Sequence, residues 1–310
     1  MDIISIAFGY ILRYILQFVH SYGLAIILFT ILTKILILPL SYKSKSAMID
    51  IQKLQPKLKE LQKKYSNDKQ RYQQEVEKLY KIEGVSPTGS CLPTLITFPI
   101  MLGLYYVIVR PLSFLMLLTP LQISQVAQRL GMDMTKIIGA RLNMIEIGVA
   151  NHLQGNVSKV ADISSKIFEI NFNFLGLNLA STPQWNPKSP SFSVALLIIP
   201  ILSGATAFLM SKVTMGMQEK ITGGPVEGSQ NAATMMYMMP LMSVWFSFMF
   251  PTGVGIYWIA SNLVGALQEY WLSKHFIAKI HKKEAEEEEI RRKKALKKQM
   301  EDSKEEKSDE

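Results

Sequence analysis

Apolar residues in this chain fall into long runs separated by strongly charged stretches. The first, Gly23 to Leu40, reads GLAIILFTILTKILILPL. Crossing the hydrocarbon core takes about 20 mostly apolar residues. Runs of that kind recur at Cys91–Val109, Phe192–Ser211, Ala233–Phe250 and Gly253–Ser273. The pattern predicts an all-α membrane protein with five transmembrane helices, at 23–41, 91–118 (the last part an interfacial extension, Leu112–Leu118), 192–211, 233–250 and 251–273. Phe250-Pro251-Thr252-Gly253 leaves almost no loop between the last two, which makes them a tight helical hairpin. Ile3–Val19 is also apolar, but Arg13 and Gln17 interrupt it and it lies too close to the next run for a second crossing. Residues 1–22 therefore predict an amphipathic helix lying in the interface, with Tyr and Phe at headgroup depth.

The polar stretches carry helical patterns of their own. In 42–90, Ile51, Leu54, Leu58, Leu61 and Tyr65 recur at spacings of three and four, and Tyr72, Val76 and Leu79 mark a second stripe. Ser66-Asn67-Asp68 separates them, with Asp68 or Ser66 as the cap of the second helix and Pro56 beginning or kinking the first. The prediction is an antiparallel helical hairpin, read either as a working part or as a solvated lid. Residues 119–191 form a long polar connection, with short helices expected at Ser124–Leu130 and Ala161–Ile170. The stretch STPQWNPKSP within it predicts an extended loop with an interfacial Trp185. Residues 212–232 are a polar, Gly-rich loop. The fourth run is rich in methionine, which suits either plain packing or a surface that meets many partners. In the tail, 274–310, Glu287–Arg291, Glu288–Arg292 and Glu289–Lys293 are i, i+4 pairs that favour a solvated helix. Its basic tract IRRKKALKK permits contact with RNA or anionic lipid.

Composition supports the membrane class: 48% of the 310 residues are hydrophobic and the mean hydropathy is positive. The single cysteine, Cys91, excludes a disulfide framework and a cysteine metal site. The start MDII has no basic n-region or cleavage site, so the expectation is insertion without a leader. The net charge of +9 is unevenly placed. Residues 42–90 hold eleven Lys/Arg against six Asp/Glu, and the tail is also rich in Lys and Arg. Basic flanks stay cytoplasmic, which puts both there. Five spans then place the N-terminus and the 119–191 connection outside.

Candidate chemistry is sparse. No phosphate loop, zinc-protease or nucleophile-elbow motif is present and the four histidines are dispersed, so neither an enzyme nor a cofactor is expected. The conspicuous residue is Lys34, inside the first run with Thr30 one turn away and Thr33 beside it. A charge near mid-bilayer costs about 2.5–3.5 kcal/mol on insertion scales and usually faces a bundle interior or wet cavity. The alternative is snorkelling, in which the stem lies along the helix and the ammonium reaches the headgroups. Runs two to five show no other buried Asp, Glu, Arg or Lys beyond the bordering Arg110. In the fifth run Ser261 and Gly265 have small-residue packing spacing.

Several motifs, in order, resemble the YidC/Oxa/Alb family of membrane protein insertases. They are Lys34 five residues before Pro39-Leu40, Leu54-Gln55-Pro56, Gly84-Val85-Ser86-Pro87 with Cys91-Leu92-Pro93, and Phe98-Pro99-Ile100 with Tyr105-Tyr106 and Arg110. Phe174-Leu175-Gly176 with Leu179, and Phe250-Pro251-Thr252-Gly253 with Tyr257-Trp258 and Ser261-Asn262-Leu263, complete the set. The resemblance covers about residues 20–275. The family commonly has Arg where this chain has Lys34, and the large extra-cytoplasmic domain of Gram-negative members has no counterpart in it.

The resemblance implies a bacterial plasma-membrane insertase or chaperone with a hydrophilic groove open to cytoplasm and lipid. Lys34 would be its charge, Thr30, Thr33 and Thr97 its polar lining. Asn262 and Gln268 would join the groove or bond between helices; Tyr257 and Trp258 would be groove aromatics or interfacial anchors. Nascent membrane proteins would be the substrates, membrane lipids the surroundings, the ribosome a partner through the hairpin and basic tail, and the Sec translocon an optional one. Two other classes stay open: a small transporter or channel with Lys34 on the substrate path, which predicts a second titratable group at matching depth, and a membrane-anchored scaffold, in which Lys34 is replaceable by Leu.

Overall fold

A computed structural model of the chain describes residues 2–85, 99–132, 145–189, 192–222 and 230–306. It is mostly helical. Helix α1 is Asp2–Val19, α2 Tyr22–Lys53, α3 Gln55–Lys64 and α4 Lys69–Ile82. After the undescribed segment come α5, Pro99–Val109, α6, Pro111–Phe114, α7, Pro120–Arg129, and α8, Ile145–His152. The last three are α9, Ile198–Thr222, α10, Gln230–Ser247, and α11, Thr252–Glu306. Among the described residues, Tyr22–Lys53 and Val194–Ile221 are long and apolar enough to cross a membrane; Ile3–Val19 and Pro99–Val109 are shorter apolar helices. The second expected span opens at Cys91, outside the described residues, as do Thr97 and the Cys91-Leu92-Pro93 motif.

Helix α2 does not stop at the expected boundary near Ser41. Its 32 residues correspond to about 48 Å of helix, well beyond a hydrocarbon core of about 30 Å. Pro39 removes one backbone donor within it, a loss membrane helices tolerate. The polar half beyond Pro39 stays helical because it has partners: the Tyr42 ring packs 4.7 Å from that of Phe276, and Lys45 pairs with Glu269. Pro56 then starts α3 rather than kinking it. Of the two candidate caps it is Asp68 that accepts the Arg71 amide, at 2.9 Å, and opens α4. Helices α3 and α4 run back along each other, with Lys57 paired to Glu83 at their open ends.

Helix α1 has the two faces its pattern implies. Leu12 and Leu16 are buried, while Ile3, Tyr10, Tyr14 and Phe18 are exposed along one side. The segment after Arg110 differs from the expectation. Leu112, Leu115, Met116 and Leu118 are buried in the core instead of running along an interface. The short α6 turns them under α1, where Arg13 donates to the Leu115 carbonyl at 3.2 Å and stacks on Phe168.

The described part of the 119–191 connection, residues 119–132 and 145–189, is a folded cap. Its residues Ile145, Ile147, Val149, Leu153, Val160, Ile170, Phe172 and Leu179 share one core with α1, α2 and α5. The helix expected at Ser124–Leu130 forms, starting earlier at Pro120 and opened by a Thr119–Gln122 capping box. The one expected at Ala161–Ile170 does not; only the single turn Val157–Lys159 just before it is helical. Asp162 pairs with Arg129 on α7, and Ser164 bonds the Lys166 amide, a local side-chain bond that competes with a helical ladder. A two-stranded ladder pairs Asn173 with Asn178 and Phe174 with Leu177. Leu175 and Gly176 both have positive φ at its turn, the geometry of a type I′ hairpin. Trp185 is exposed in an irregular loop.

This cap closes one end of the bundle through the backbone. The first amides of a helix lack partners within it. Here the Tyr22 amide donates to Asn171 O, Thr252 to Ser181 O at 2.8 Å and Gly253 to Leu179 O at 2.9 Å. Helices α2 and α11 thus start side by side from one layer and run in the same direction. Glycines set the close approaches: a Cβ on Gly255 would meet Ile199 at 2.3 Å, and one on Gly204 would meet Val244 at 2.5 Å.

Candidate functional site

Beyond the capped end, α2, α9 and α11 diverge around an open, partly polar groove of about 360 Å³. Each helix contributes one face. Lys34, Ser41, Lys45 and Met48 are separated by seven, four and three residues on α2; Gly265, Gln268, Glu269 and Leu272 occupy one face of α11; Met210 and Thr214 are one turn apart on α9. Lys34 Nζ reaches across to α11, 3.5 Å from where a Cβ on Gly265 would stand. Gly265 is thus the opening that admits the ammonium, and Lys34 is directed into the groove.

Further along, Lys45 and Glu269 form an ion pair with side chains only 4% and 15% exposed. Ser273 Oγ donates to the same carboxylate oxygen at 3.1 Å. Reading the fifth run as free of buried acids therefore missed Glu269. Inside an apolar run, one turn before Ser273 and one turn after Gly265, it was visible in sequence; only its partner was not, because Lys45 lies in the stretch assigned to a polar domain. Among the described residues, Lys34 itself has no carboxylate partner.

The remaining expected residues disperse. Thr30 is buried and donates to Ile26 O at 2.7 Å, and Thr33 donates to Thr30 O at 2.9 Å. Both hydroxyls serve their own helix, and neither residue lines the groove with Lys34. Gln268 does line it. Asn262 instead donates to Thr206 Oγ1 at 3.4 Å, joining a polar ladder in which Ser203 and Ser243 meet at 2.6 Å and Ser247 donates to Ser243 O at 2.8 Å. This ladder was not anticipated; it ties α9 to α10 and α11 as interhelical bonds do in a bilayer. Tyr257 and Trp258 line a separate apolar cavity of about 240 Å³ with Met101, Leu102, Tyr105, Phe246, Phe250 and Val254. They stand within an aromatic cluster, Trp258 5.8 Å from Phe250 and Phe250 5.2 Å from Tyr105. Thr97 lies outside the described residues.

Chemically the groove offers a cation, an ion pair, hydroxyls and an amide, and on α10 Tyr237, Met238, Met239 and Leu241 are exposed apolar side chains.

The profile of the 60Kd inner membrane protein family matches residues 14–280. Membrane protein insertase YidC of Syntrophus aciditrophicus is 32% identical over 263 residues, 85% of this chain and 35% of that protein. Membrane protein insertase YidC of Fusobacterium nucleatum is 26% identical over 258 residues, 83% of this chain and 89% of that one. ALBINO3-like protein 1, chloroplastic, of Arabidopsis thaliana is 27% identical over 260 residues, 84% of this chain and 44% of the plant protein. The chain spans little more than a third of the length of several of these relatives, while it spans most of the Fusobacterium protein.

Proposed function

The chain belongs to the 60Kd inner membrane protein family, and from that membership we propose that it inserts nascent membrane proteins into a bacterial plasma membrane through the Lys34 groove. The observation that carries the reading is Lys34 itself, directed into a groove and lacking a carboxylate partner among the described residues. An acidic or otherwise polar external segment of a substrate enters the groove, where Lys34, Gln268 and the serine hydroxyls take the place of water. Each polar group so received avoids a transfer penalty of about 2–7 kcal/mol. The substrate's apolar helix then passes along the exposed face of α10 into lipid. The reaction is a transfer between solvents; no bond is made or broken.

In this arrangement the chain crosses the membrane five times, with its N-terminus and the 145–189 cap outside. Helices α3 and α4 form a cytoplasmic hairpin, and with the basic tail they meet the ribosome; the Sec translocon is an additional partner. Helix α1 lies in the outer interface on its exposed Tyr and Phe side chains.

The test is insertion of a single-span reporter with an acidic external tail in cells depleted of their own insertase. Wild type and Lys34→Arg are expected to insert it and Lys34→Leu to fail at equal expression. Insertion by Lys34→Leu at the wild-type level would sink the electrostatic mechanism, and failure of wild type would sink the insertase reading. A second reading, a small transporter, is favoured by one observation: Glu269 is a second titratable group in the same groove. It predicts ion-dependent solute uptake into proteoliposomes of the purified protein, which the insertase reading does not.

A further inference from the structure

Three charged side chains line the groove, Lys34, Lys45 and Glu269, and the reading above uses only one. We propose that Glu269 is the groove's internal counter-ion: by occupying Lys45 it leaves a single cation, Lys34, for the substrate and so limits how many acidic residues a translocated segment carries.

The geometry assigns the carboxylate to Lys45. One oxygen of Glu269 accepts from both Lys45 Nζ and Ser273 Oγ, which fixes its rotamer toward Lys45. Ser273 lies one turn further along α11 and is fully buried, so the carboxylate is held from behind. Lys45 is the most enclosed of the three, and an ammonium so placed requires a partner. The two ammoniums meet α11 one turn apart, Lys34 at Gly265 and Lys45 at Glu269, and the carboxylate is bonded to Lys45. The groove therefore presents one positive charge in place of two. A segment with one carboxylate finds its match at Lys34. A second carboxylate meets a cation already occupied and lies beside Glu269 in a partly dehydrated site, where like charges repel.

This proposal rests on the insertase reading and deepens it, so the experiment separates the two. The probes are single-span reporters whose external segments carry one or two Asp residues and are otherwise identical, in cells depleted of their own insertase. The measured quantity is the ratio of two-Asp to one-Asp insertion. Glu269→Gln, nearly isosteric and able to accept from Lys45, is expected to raise the ratio about two- to fivefold, the range of one charge interaction with a substrate carboxylate in an open, partly hydrated groove. Lys45→Gln, which leaves Glu269 facing the groove unpaired, is expected to lower it. The double variant, with Lys34 the only charge left, is expected to return it to the wild-type value. A structural role alone would lower insertion of both reporters in each single variant without changing the ratio. An unchanged ratio in both single variants, with wild type inserting and Lys34→Leu failing, overturns the counter-ion role and leaves the insertase reading in place. Wild type failing on the one-Asp reporter overturns both.

Discussion

The Lys34 ammonium stands against Gly265, 3.5 Å from the position of a Cβ there, across the seam between α2 and α11. Since 3.5 Å is ordinary van der Waals contact, Gly265→Ala is expected to fold normally. It gains about 0.5–1 kcal/mol from helix propensity and retains insertion. Gly265→Leu places its branch where Lys34 and Met210 meet and is expected to abolish insertion while thermal unfolding in detergent stays close to wild type. Equal insertion by the Ala and Leu variants would show that the Lys34 end of the groove is not used.

Two other glycines are sites of close packing. A Cβ on Gly9 would lie 2.0 Å from the Phe114 carbonyl oxygen, and one on Gly23 2.3 Å from the Phe174 ring. Overpacking of this kind costs about 1–3 kcal/mol. Gly9→Ala is expected at the upper end, because it meets backbone, and Gly23→Ala lower, because a ring can turn. Gly148→Ala, with nothing within 4 Å, is the control and should not destabilise. Melting temperatures of the three variants check the order.

The cap is held by a polar anchor. Glu146, 9% exposed, accepts Arg110 Nε at 2.8 Å, the Ser113 amide at 2.7 Å and Ser113 Oγ at 2.7 Å. Glu146→Ala strands these donors and is expected to cost about 1–3 kcal/mol, with faster proteolysis within 145–189. Glu146→Gln, which keeps an acceptor, should cost less. A cap equally resistant in all three proteins would mean the apolar core alone holds it.

The cap also carries a pH-dependent tie. Arg129 binds Asp162 through both guanidinium nitrogens, at 2.6 and 2.8 Å. Its hydrogen bond is the main reason the Asp162 carboxyl is held below the usual range. A depressed acid contributes stability above its unfolded value, about 3.9, and loses it as pH falls through the lower folded value. The protection of amides 157–167 against hydrogen exchange, relative to the unfolded-chain rate at each pH, is therefore expected to fall below about pH 4 in wild type. In Asp162→Asn it should already be lower at pH 7, with this component of its pH dependence gone.

Much of the architecture was legible in the sequence because it depends on local pattern. Long apolar runs, stripes at spacings of three and four, a helix cap at Ser66 or Asp68 and the ordered motifs that resemble the YidC/Oxa/Alb family all follow from neighbours within a few turns. The family profile over residues 14–280 agrees with that resemblance. Lys34 stood out for the same reason, as a charge within an apolar helix.

What escaped depends on distant partners. Nothing near Lys45 reveals that a carboxylate 224 residues away holds it, and nothing near Thr30 reveals that its face is turned into the core. Where a helix was expected at 161–170, Asp162 instead pairs with Arg129 on another element. The residues of 119–191 read as a polar link, yet their scattered apolar side chains close one core with α1, α2 and α5. By itself the sequence determined which long segments are helical and apolar, since periodicity and length are properties of the chain alone. Only the tertiary structure decided which charges meet, which hydroxyls remain available and which end of the bundle is closed, because pairing energies depend on distances that packing sets.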